Sequence, residues 1–297
     1  ARAWTGHRFL AAERVRGGVE VTLEAAGTVP AGSARRRRVR ARFLVGADGA
    51  RSPVAASLGL DRNRAFLIGA EDVLPSALRG APVMHCFLDP ELAPGYLAWV
   101  VDDGEEAHIG VAGHPGRFRP LAALARFRAG LPRHIPLSTG TRIERRGGRI
   151  PVGGLLGRIA DPHALLVGDA SGAVSPLTAG GLDPCLRQSR LAVQVIRAWL
   201  GSGQRDAIEA YQAPALRRRF RGRMLLRMGY SRLNARTGVE LAFAALRAPV
   251  LSPLAARVFF GRGSFPDLDL SRLLNEARGR RQLAGARAWL AALRGAD

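Results

Sequence analysis

One short segment constrains the fold of this 297-residue chain more than any other. Residues 164–167, Ala-Leu-Leu-Val, are apolar without alternation, which is typical of a parallel strand that is covered on both faces. Gly168 and Asp169 follow, and after a loop the apolar residues recur at helical spacing to about residue 200. A strand, a loop and a long helix in this order predict a layered α/β fold with Asp169 at the carboxyl end of a parallel strand.

This segment also predicts a ligand site. Glycine at position 168 allows a ligand to approach the backbone closely. The carboxylate of Asp169 is well placed to accept hydrogen bonds from sugar-like hydroxyls. The helix that begins near Gly181 presents free N–H groups and the positive end of its dipole, which can stabilise negative charge. We expect the helix to bury one apolar stripe, formed by Leu182, Cys185, Leu186, Ser189, Val193, Ile196 and Leu200.

A second motif has the same organisation. Residues 45–54, Val-Gly-Ala-Asp-Gly-Ala-Arg-Ser-Pro-Val, follow a predicted strand at 39–46 and lead into a predicted helix. Residues 18–25 alternate between apolar and polar, which predicts another, half-buried strand. The four arginines from Arg35 to Arg38 repel one another, so we expect them in a solvated hairpin tip.

Residues 164–192 resemble the G-D motif of FAD-dependent aromatic hydroxylases and geranylgeranyl reductases, and residues 45–54 resemble their D-G motif. The resemblance implies an FAD cofactor, with the ribitol chain held by Asp169 and the isoalloxazine ring beside the Pro-to-Gly loop. The family usually has Gly at position 179 and an Ala-type residue at position 185, where this chain has Ala and Cys. The implied cofactor-binding residues are Asp48, Gly49, Gly168, Asp169, Pro176, Ala179, Gly180, Gly181 and Leu182.

The segment between the two motifs carries the candidate substrate residues. Residues 94–99, Pro-Gly-Tyr-Leu-Ala-Trp, resemble the geranylgeranyl-reductase pattern of a Tyr and a Trp near the substrate channel. Two residues separate Tyr96 from Trp99, so on a strand they would lie on opposite faces. An ordinary core Tyr and Trp is the competing interpretation. The glycine-rich segment 147–157 is predicted to be a loop, and it resembles the reductase sequence that precedes the G-D motif.

We therefore expect an α/β fold: an FAD/NAD(P)-binding Rossmann-like domain, an inserted antiparallel β-sheet substrate domain and a helical C-terminal region. The predicted boundaries are 1–63 and 151–202 for the FAD-binding domain, 64–150 for the β-rich domain and 203–297 for the helical region. The sequence contains no G-x-G-x-x-G, the fingerprint of a dinucleotide-binding start. We expect the first βαβ unit to lie upstream of Ala1, and this fragment alone to bind FAD poorly.

Composition limits the remaining classes of function. The formal net charge is +21 and every basic residue is Arg, which indicates either a coding bias or attraction to an anionic membrane or nucleic acid. Cys86 and Cys185 are far apart, which excludes a disulfide framework and a zinc knuckle and favours a reducing cytoplasm. The six histidines show no ligand spacing, so no metal site is expected.

The function favoured by these patterns is flavin-dependent reduction of C=C bonds in an isoprenoid or another small apolar substrate, with NAD(P)H as a candidate electron donor. One alternative is a monooxygenase that uses NAD(P)H and oxygen. Another is a basic protein that binds nucleic acid, although no nucleic-acid partner is expected. Basic helices near residues 217–232 could rest on an anionic bilayer, giving a peripheral membrane contact, or could form a solvated face.

Overall fold

The computed structural model describes residues 2–27, 35–76, 81–116, 118–131, 135, 141–212, 214–233, 235–260, 270–276 and 278–279. Within them, three sheets and a set of α-helices form a mixed α/β fold. Part of the predicted C-terminal helical region, residues 203–297, lies outside the described residues.

The first sheet is an antiparallel meander of β1 (His7–Val15), β2 (Gly18–Ala25) and β3 (Arg36–Ala41). The strand predicted at 18–25 is present, and its Val19 side chain is fully buried. The predicted placement of Arg35–Arg38 in a hairpin tip is wrong for positions 36–38, because these residues pair with β2. Their mutual repulsion is offset by Glu20 and Glu24 on that strand, which form ion pairs with the arginines.

The second sheet has the order β10-β11-β4, with β10 at Ala160–Asp161, β11 at Ala164–Leu166 and β4 at Leu44–Gly46. Strands β11 and β4 run parallel, and all three residues of β11 are buried. The single strand expected at 39–46 is in fact two strands, since β3 ends at Ala41 and the chain enters a different sheet at Leu44. Helix α1 (Pro53–Ser57) follows β4.

The third sheet contains β5 (Phe66–Pro75), β6 (Val83–Phe87), β7 (Ala98–Asp102), β8 (Glu106–Gly113) and β9 (Glu144–Pro151). It is antiparallel, with the order β6-β7-β8-β5-β9. Helix α2 (Pro120–Gly130) packs against it through Leu124 and Phe127. The glycine-rich loop predicted at 147–157 is wrong for its first part, because β9 continues to Pro151. A glycine pair is tolerated there because β9 is an edge strand, where Gly147 and Gly148 pair with Ala70 and Gly69.

Five further helices follow the second sheet: α3 (Leu182–Ser202), α4 (Arg205–Tyr211), α5 (Pro214–Tyr230), α6 (Arg236–Arg247) and α7 (Ser252–Phe260). The apolar stripe predicted for α3 is wrong at Leu182, Leu186 and Val193, which are exposed. Ile196 of the stripe does pack against the core. The helix instead buries a mixed face that includes a glutamine: Pro184, Gln188, Leu191, Ala192 and Val195. This face joins β11 and α4 in the largest core cluster.

None of the helices in the described part of the chain is both long enough and apolar enough to cross a membrane.

Candidate cofactor site

The two sequence motifs meet at one edge of the second sheet. Leu44, Val45 and Gly46 of β4 pair with Ala164, Leu165 and Leu166 of β11. The Val167 N–H donates to the Gly46 carbonyl at 3.0 Å, so the pairing continues past the end of β11. Because both strands run in the same direction, Asp48-Gly49 and Gly168-Asp169 leave the sheet at the same edge. Ligands of open α/β sheets bind at this carboxyl edge.

Asp169 lies in a 3-10 turn at Gly168–Ser171. Gly168 has a φ of +59°, and a Cβ there would lie 2.9 Å from Cys185 Sγ, so the turn requires glycine. None of the described residues donates a hydrogen bond to the Asp169 carboxylate. Burial raises the pKa of this carboxyl above its ordinary value. A partly desolvated acceptor without a protein donor is suited to a ligand hydroxyl.

The carboxylate of Asp48, in contrast, is used within its own turn. Its Oδ1 accepts from Ser52 Oγ at 2.7 Å, and its Oδ2 accepts from the Val54 N–H at 2.8 Å. Ser52 Oγ in turn caps α1 by accepting from the Ala55 N–H at 3.0 Å. Asp48 therefore fixes the turn between β4 and α1, and Gly49, with a φ of +78°, allows that turn to form.

Asn63 connects the two motifs through hydrogen bonds, and it was not predicted from the sequence. Its Nδ2 donates to the Ala50 carbonyl at 3.0 Å and to the Asp169 carbonyl at 2.8 Å. The Asn63 Oδ1 is buried and has no partner among the described residues. Asn63 belongs to neither motif, and its contact with Asp169 spans 106 residues of sequence. The sequence contains no local signal that could have identified it.

Gln188 supports the Asp169 turn from behind and was also missed. It is fully buried on α3, and its Oε1 accepts from the Gly168 N–H at 2.8 Å and from Ser171 Oγ at 2.9 Å. The predicted stripe of α3 placed Gln188 off the core. A buried glutamine on this helix is explained by the free N–H of the turn, which needs an acceptor.

The loop at 175–181 connects the turn to α3. It is closed by a hydrogen bond from the Ser175 N–H to the Gly180 carbonyl at 3.0 Å. Ala179 has a φ of +51°, the left-handed region that favours glycine. Gly181 precedes α3, and in the described part of the chain no side chain caps the first N–H groups of that helix. Leu182 is 84% exposed. The loop and the helix start thus present backbone N–H groups and one large apolar side chain next to Asp169.

Tyr96 joins the third sheet to this loop. Its hydroxyl donates to the Thr178 carbonyl at 2.6 Å, and burial raises the pKa of Tyr96. The expectation that Tyr96 and Trp99 lie on opposite faces of one strand is wrong, because Tyr96 occupies the turn before β7. Both contribute to one apolar cluster, against which Ala179 also packs. The Trp99 Nε1–H donates to Glu71 Oε2 at 2.9 Å.

Helix α5 contacts the same loop through arginines that the sequence suggested only as a basic surface. Arg223 Nη1 donates to Ser175 Oγ at 3.1 Å. One turn later, the buried Arg227 donates to the Pro176 carbonyl at 3.2 Å. The Tyr230 hydroxyl donates to the Tyr96 carbonyl at 2.6 Å. The helix therefore fixes both the loop and the turn that carries Tyr96.

The geometry fits a flavin on two independent features, the unpartnered desolvated carboxylate of Asp169 and the uncapped start of α3. Comparison with known proteins agrees with this. Residues 5–100 match the family described as the FAD binding domain. This match covers less than half of the chain and supports the FAD cofactor that the sequence predicts, and the described sheets and helices confirm the predicted α/β fold class.

The particular relatives are reductases. The chain is 34% identical over 163 residues to digeranylgeranylglycerophospholipid reductase 1 of Methanopyrus kandleri, covering 53% of this chain and 43% of the relative. It is 31% identical over 170 residues to the menaquinone reductase of Mycobacterium tuberculosis, covering 53% and 41%. The chain thus spans less than half the length of these curated relatives. Its resemblance to flavoproteins of the geranylgeranyl reductase type is confirmed.

A solved structure shares the fold. A geranylgeranyl bacteriochlorophyll reductase-like protein from Thermoplasma acidophilum superposes with a TM-score of 0.64 at 20% identity. The match covers 84% of this chain and 68% of that protein.

Proposed function

We propose that this protein is an FAD-dependent oxidoreductase that reduces C=C bonds of an isoprenoid or another apolar substrate. The observation that carries the proposal is Asp169, a desolvated carboxylate with no donor among the described residues, at the carboxyl edge of two parallel strands. The reductase relatives support the reaction type.

Each predicted site residue has a role in this proposal. Asp169 accepts hydrogen bonds from the ribitol hydroxyls. Asp48 and Gly49 hold the neighbouring turn, and Gly168 and Gly181 allow close approach of the cofactor. Pro176, Ala179, Gly180 and Leu182 border the ring, where the α3 N–H groups favour negative charge. When bound and reduced, FAD supplies the hydride for the alkene, and NAD(P)H is a candidate donor of electrons to it.

The apolar substrate is proposed to lie near Tyr96 and Trp99. These residues belong to a cluster with Leu67, Ala112 and Val152, and Ala179 of the cofactor loop packs against it. An alkene positioned there would be next to the loop in a region that excludes water. The Tyr96 hydroxyl is already bonded to the Thr178 carbonyl, so we assign Tyr96 to shaping the pocket rather than to proton transfer.

Anaerobic turnover tests the reaction. The full-length protein, loaded with FAD and reduced with dithionite, is mixed with a geranylgeranyl lipid, and products are analysed by mass spectrometry. We expect a gain of two hydrogens per double bond and reoxidation of the flavin without oxygen. Turnover that requires oxygen and yields a hydroxylated product would instead establish the monooxygenase alternative. A colourless protein that binds nucleic acid in a salt-sensitive manner would overturn both enzyme proposals.

A further inference from the structure

Arg227 is a buried guanidinium that has no carboxylate partner among the described residues. Its side chain is on α5 and only 5% of the residue is exposed. It donates to the Pro176 carbonyl at 3.2 Å and to the Gly95 carbonyl at 3.4 Å, and it lies 3.3 Å from His114 Nε2. Within the described ranges, no Asp or Glu forms an ion pair with it. All its partners are neutral, so its charge is solvated but not neutralised.

This arrangement is unusual for a buried charge. Arginines inside proteins are normally paired, because an unpaired charge loses its hydration without gaining an opposite charge. The same structure shows the usual case at Asp72, a fully buried carboxylate that bonds Arg128 at 2.7 Å and Arg145 at 2.6 Å. The absence of such a partner at Arg227 leaves a net positive charge in a region of low dielectric.

The position of this charge indicates its use. Pro176, which accepts from Arg227, lies in the loop that follows Asp169, and Gly95 directly precedes Tyr96. The guanidinium therefore lies between the cofactor loop and the substrate turn. An electrostatic interaction is stronger here than in water, because burial excludes the solvent that would screen it.

We propose that Arg227 supplies a fixed positive charge that favours the anionic, reduced form of the flavin over the oxidised form. This inference rests on the proposed function, because it requires FAD at the 175–181 loop. It adds a side-chain charge from α5 to the backbone N–H groups at the start of α3. Charge near the flavin ring is one of the means by which proteins tune its electronics.

The test compares the affinities of the protein for reduced and oxidised FAD, obtained from the midpoint potential of the bound cofactor in the full-length protein. For Arg227→Gln we expect the preference for reduced FAD to fall about tenfold, which for a two-electron couple is about 30 mV. Arg227→Lys, which retains the charge, should preserve most of the preference. Arg221→Gln removes an exposed charge from the same helix and should leave it unchanged.

A second variant tests the same charge effect in case Arg227→Gln fails to fold. His114→Asp places a carboxylate beside the guanidinium without removing it, and it should lower the preference for reduced FAD in the same direction. His114→Asn is its uncharged control and should have little effect. These readouts distinguish a charge effect from loss of the loop contacts.

The inference is overturned if Arg227→Gln and Arg227→Lys reduce the preference equally, because Arg227 would then act only by holding the loop. It is also overturned if a folded, FAD-loaded Arg227→Gln or His114→Asp retains the wild-type preference. Wild-type protein that binds no FAD would overturn the proposed function itself. FAD binding without alkene reduction would overturn the proposed substrate, and the midpoint potentials of the variants would still decide the role of Arg227.

Discussion

At the scale of single residues, two side-chain amides, one partly and one fully buried, hold the turn that presents Asp169. Asn63 donates to the carbonyls of Ala50 and Asp169, and Gln188 accepts from Gly168 and Ser171. The sequence predicted Asp48 and Asp169 because they follow strands in recognisable motifs. It could not predict the amides, because their partners are distant in sequence and are brought together only by tertiary packing.

Replacing Asn63 with Ala should destabilise the protein by about 1–2 kcal/mol, since two partly buried carbonyls lose their donor. The free energy of unfolding in urea measures this effect. Gln204→Ala is the control, because the side-chain amide of Gln204 makes no hydrogen bond with the described residues. Equal stability of the Asn63 variant and the wild type would show that the bridge between the motifs contributes nothing.

Replacing Ala179 with Gly should stabilise the protein by about 0.5–1 kcal/mol. Ala179 has a φ of +51°, and relief of the left-handed conformation outweighs the added flexibility of glycine in the unfolded chain. Urea unfolding of the FAD-free protein provides the value. Gly180→Ala, at a neighbour without positive φ, should have only a small effect. A destabilised Ala179→Gly variant would argue against strain at this position.

At the scale of elements, local patterns predicted the type of each element better than its packing. The strand at Gly18–Ala25 was found where the alternation of apolar and polar residues placed it. Helix α3 was found too, but with a different face buried, since the turn before it needs the acceptor that Gln188 supplies. Strand β9 was missed because its glycines are typical of a loop, and only its pairing with β5 makes this segment a strand.

The contact between α5 and the end of β8 should make stability depend on pH. Burial and the nearby Arg227 lower the pKa of His114 below its ordinary value of 6.5. As the pH falls below about 6.5, the unfolded chain therefore binds a proton before the folded protein does. The contribution of His114 to stability is complete above that pH and is lost progressively below it.

Urea unfolding of the wild type and of His114→Gln between pH 7.5 and pH 5 measures this dependence. The wild type should lose more stability on acidification than the variant, which has no imidazole to protonate. Parallel pH profiles for the two proteins would mean that His114 takes up its proton equally well in the folded state.

At the scale of the whole molecule, the sheet that carries Tyr96 and helix α5 both converge on the loop that follows the second sheet. The type of secondary structure in each region was predictable from the sequence, because each region has its own spacing of apolar residues. The convergence of the third sheet and helix α5 on this loop was not predictable, because it depends on contacts such as that of Tyr230 with Tyr96, 134 residues apart. The predicted domain boundaries remain a proposal.

We propose that a peripheral membrane contact, if the protein makes one, involves the exposed apolar side chains of α6 and α7. Leu241 is 71% exposed and Leu254 is 58% exposed, and Arg247 and Arg257 are exposed on the same helices. Replacing both leucines with Ser should weaken binding to anionic phosphatidylglycerol vesicles at least about tenfold, because each buried leucine contributes about 1.5 kcal/mol. Leu121→Ser, on α2, is the control. Unchanged binding of the double variant to the vesicles in a flotation assay would contradict a lipid contact through these two leucines.

The central claim is that Asp169 holds the flavin, and its most direct test is the affinity of the full-length protein for FAD. Asp169→Ala should raise the dissociation constant roughly 5- to 150-fold, which corresponds to about 1–3 kcal/mol for hydrogen bonds to a charged acceptor. Asp103→Ala, an exposed carboxylate in the turn between β7 and β8, should bind FAD as the wild type does. Wild-type affinity for FAD in a folded Asp169→Ala variant would contradict the account.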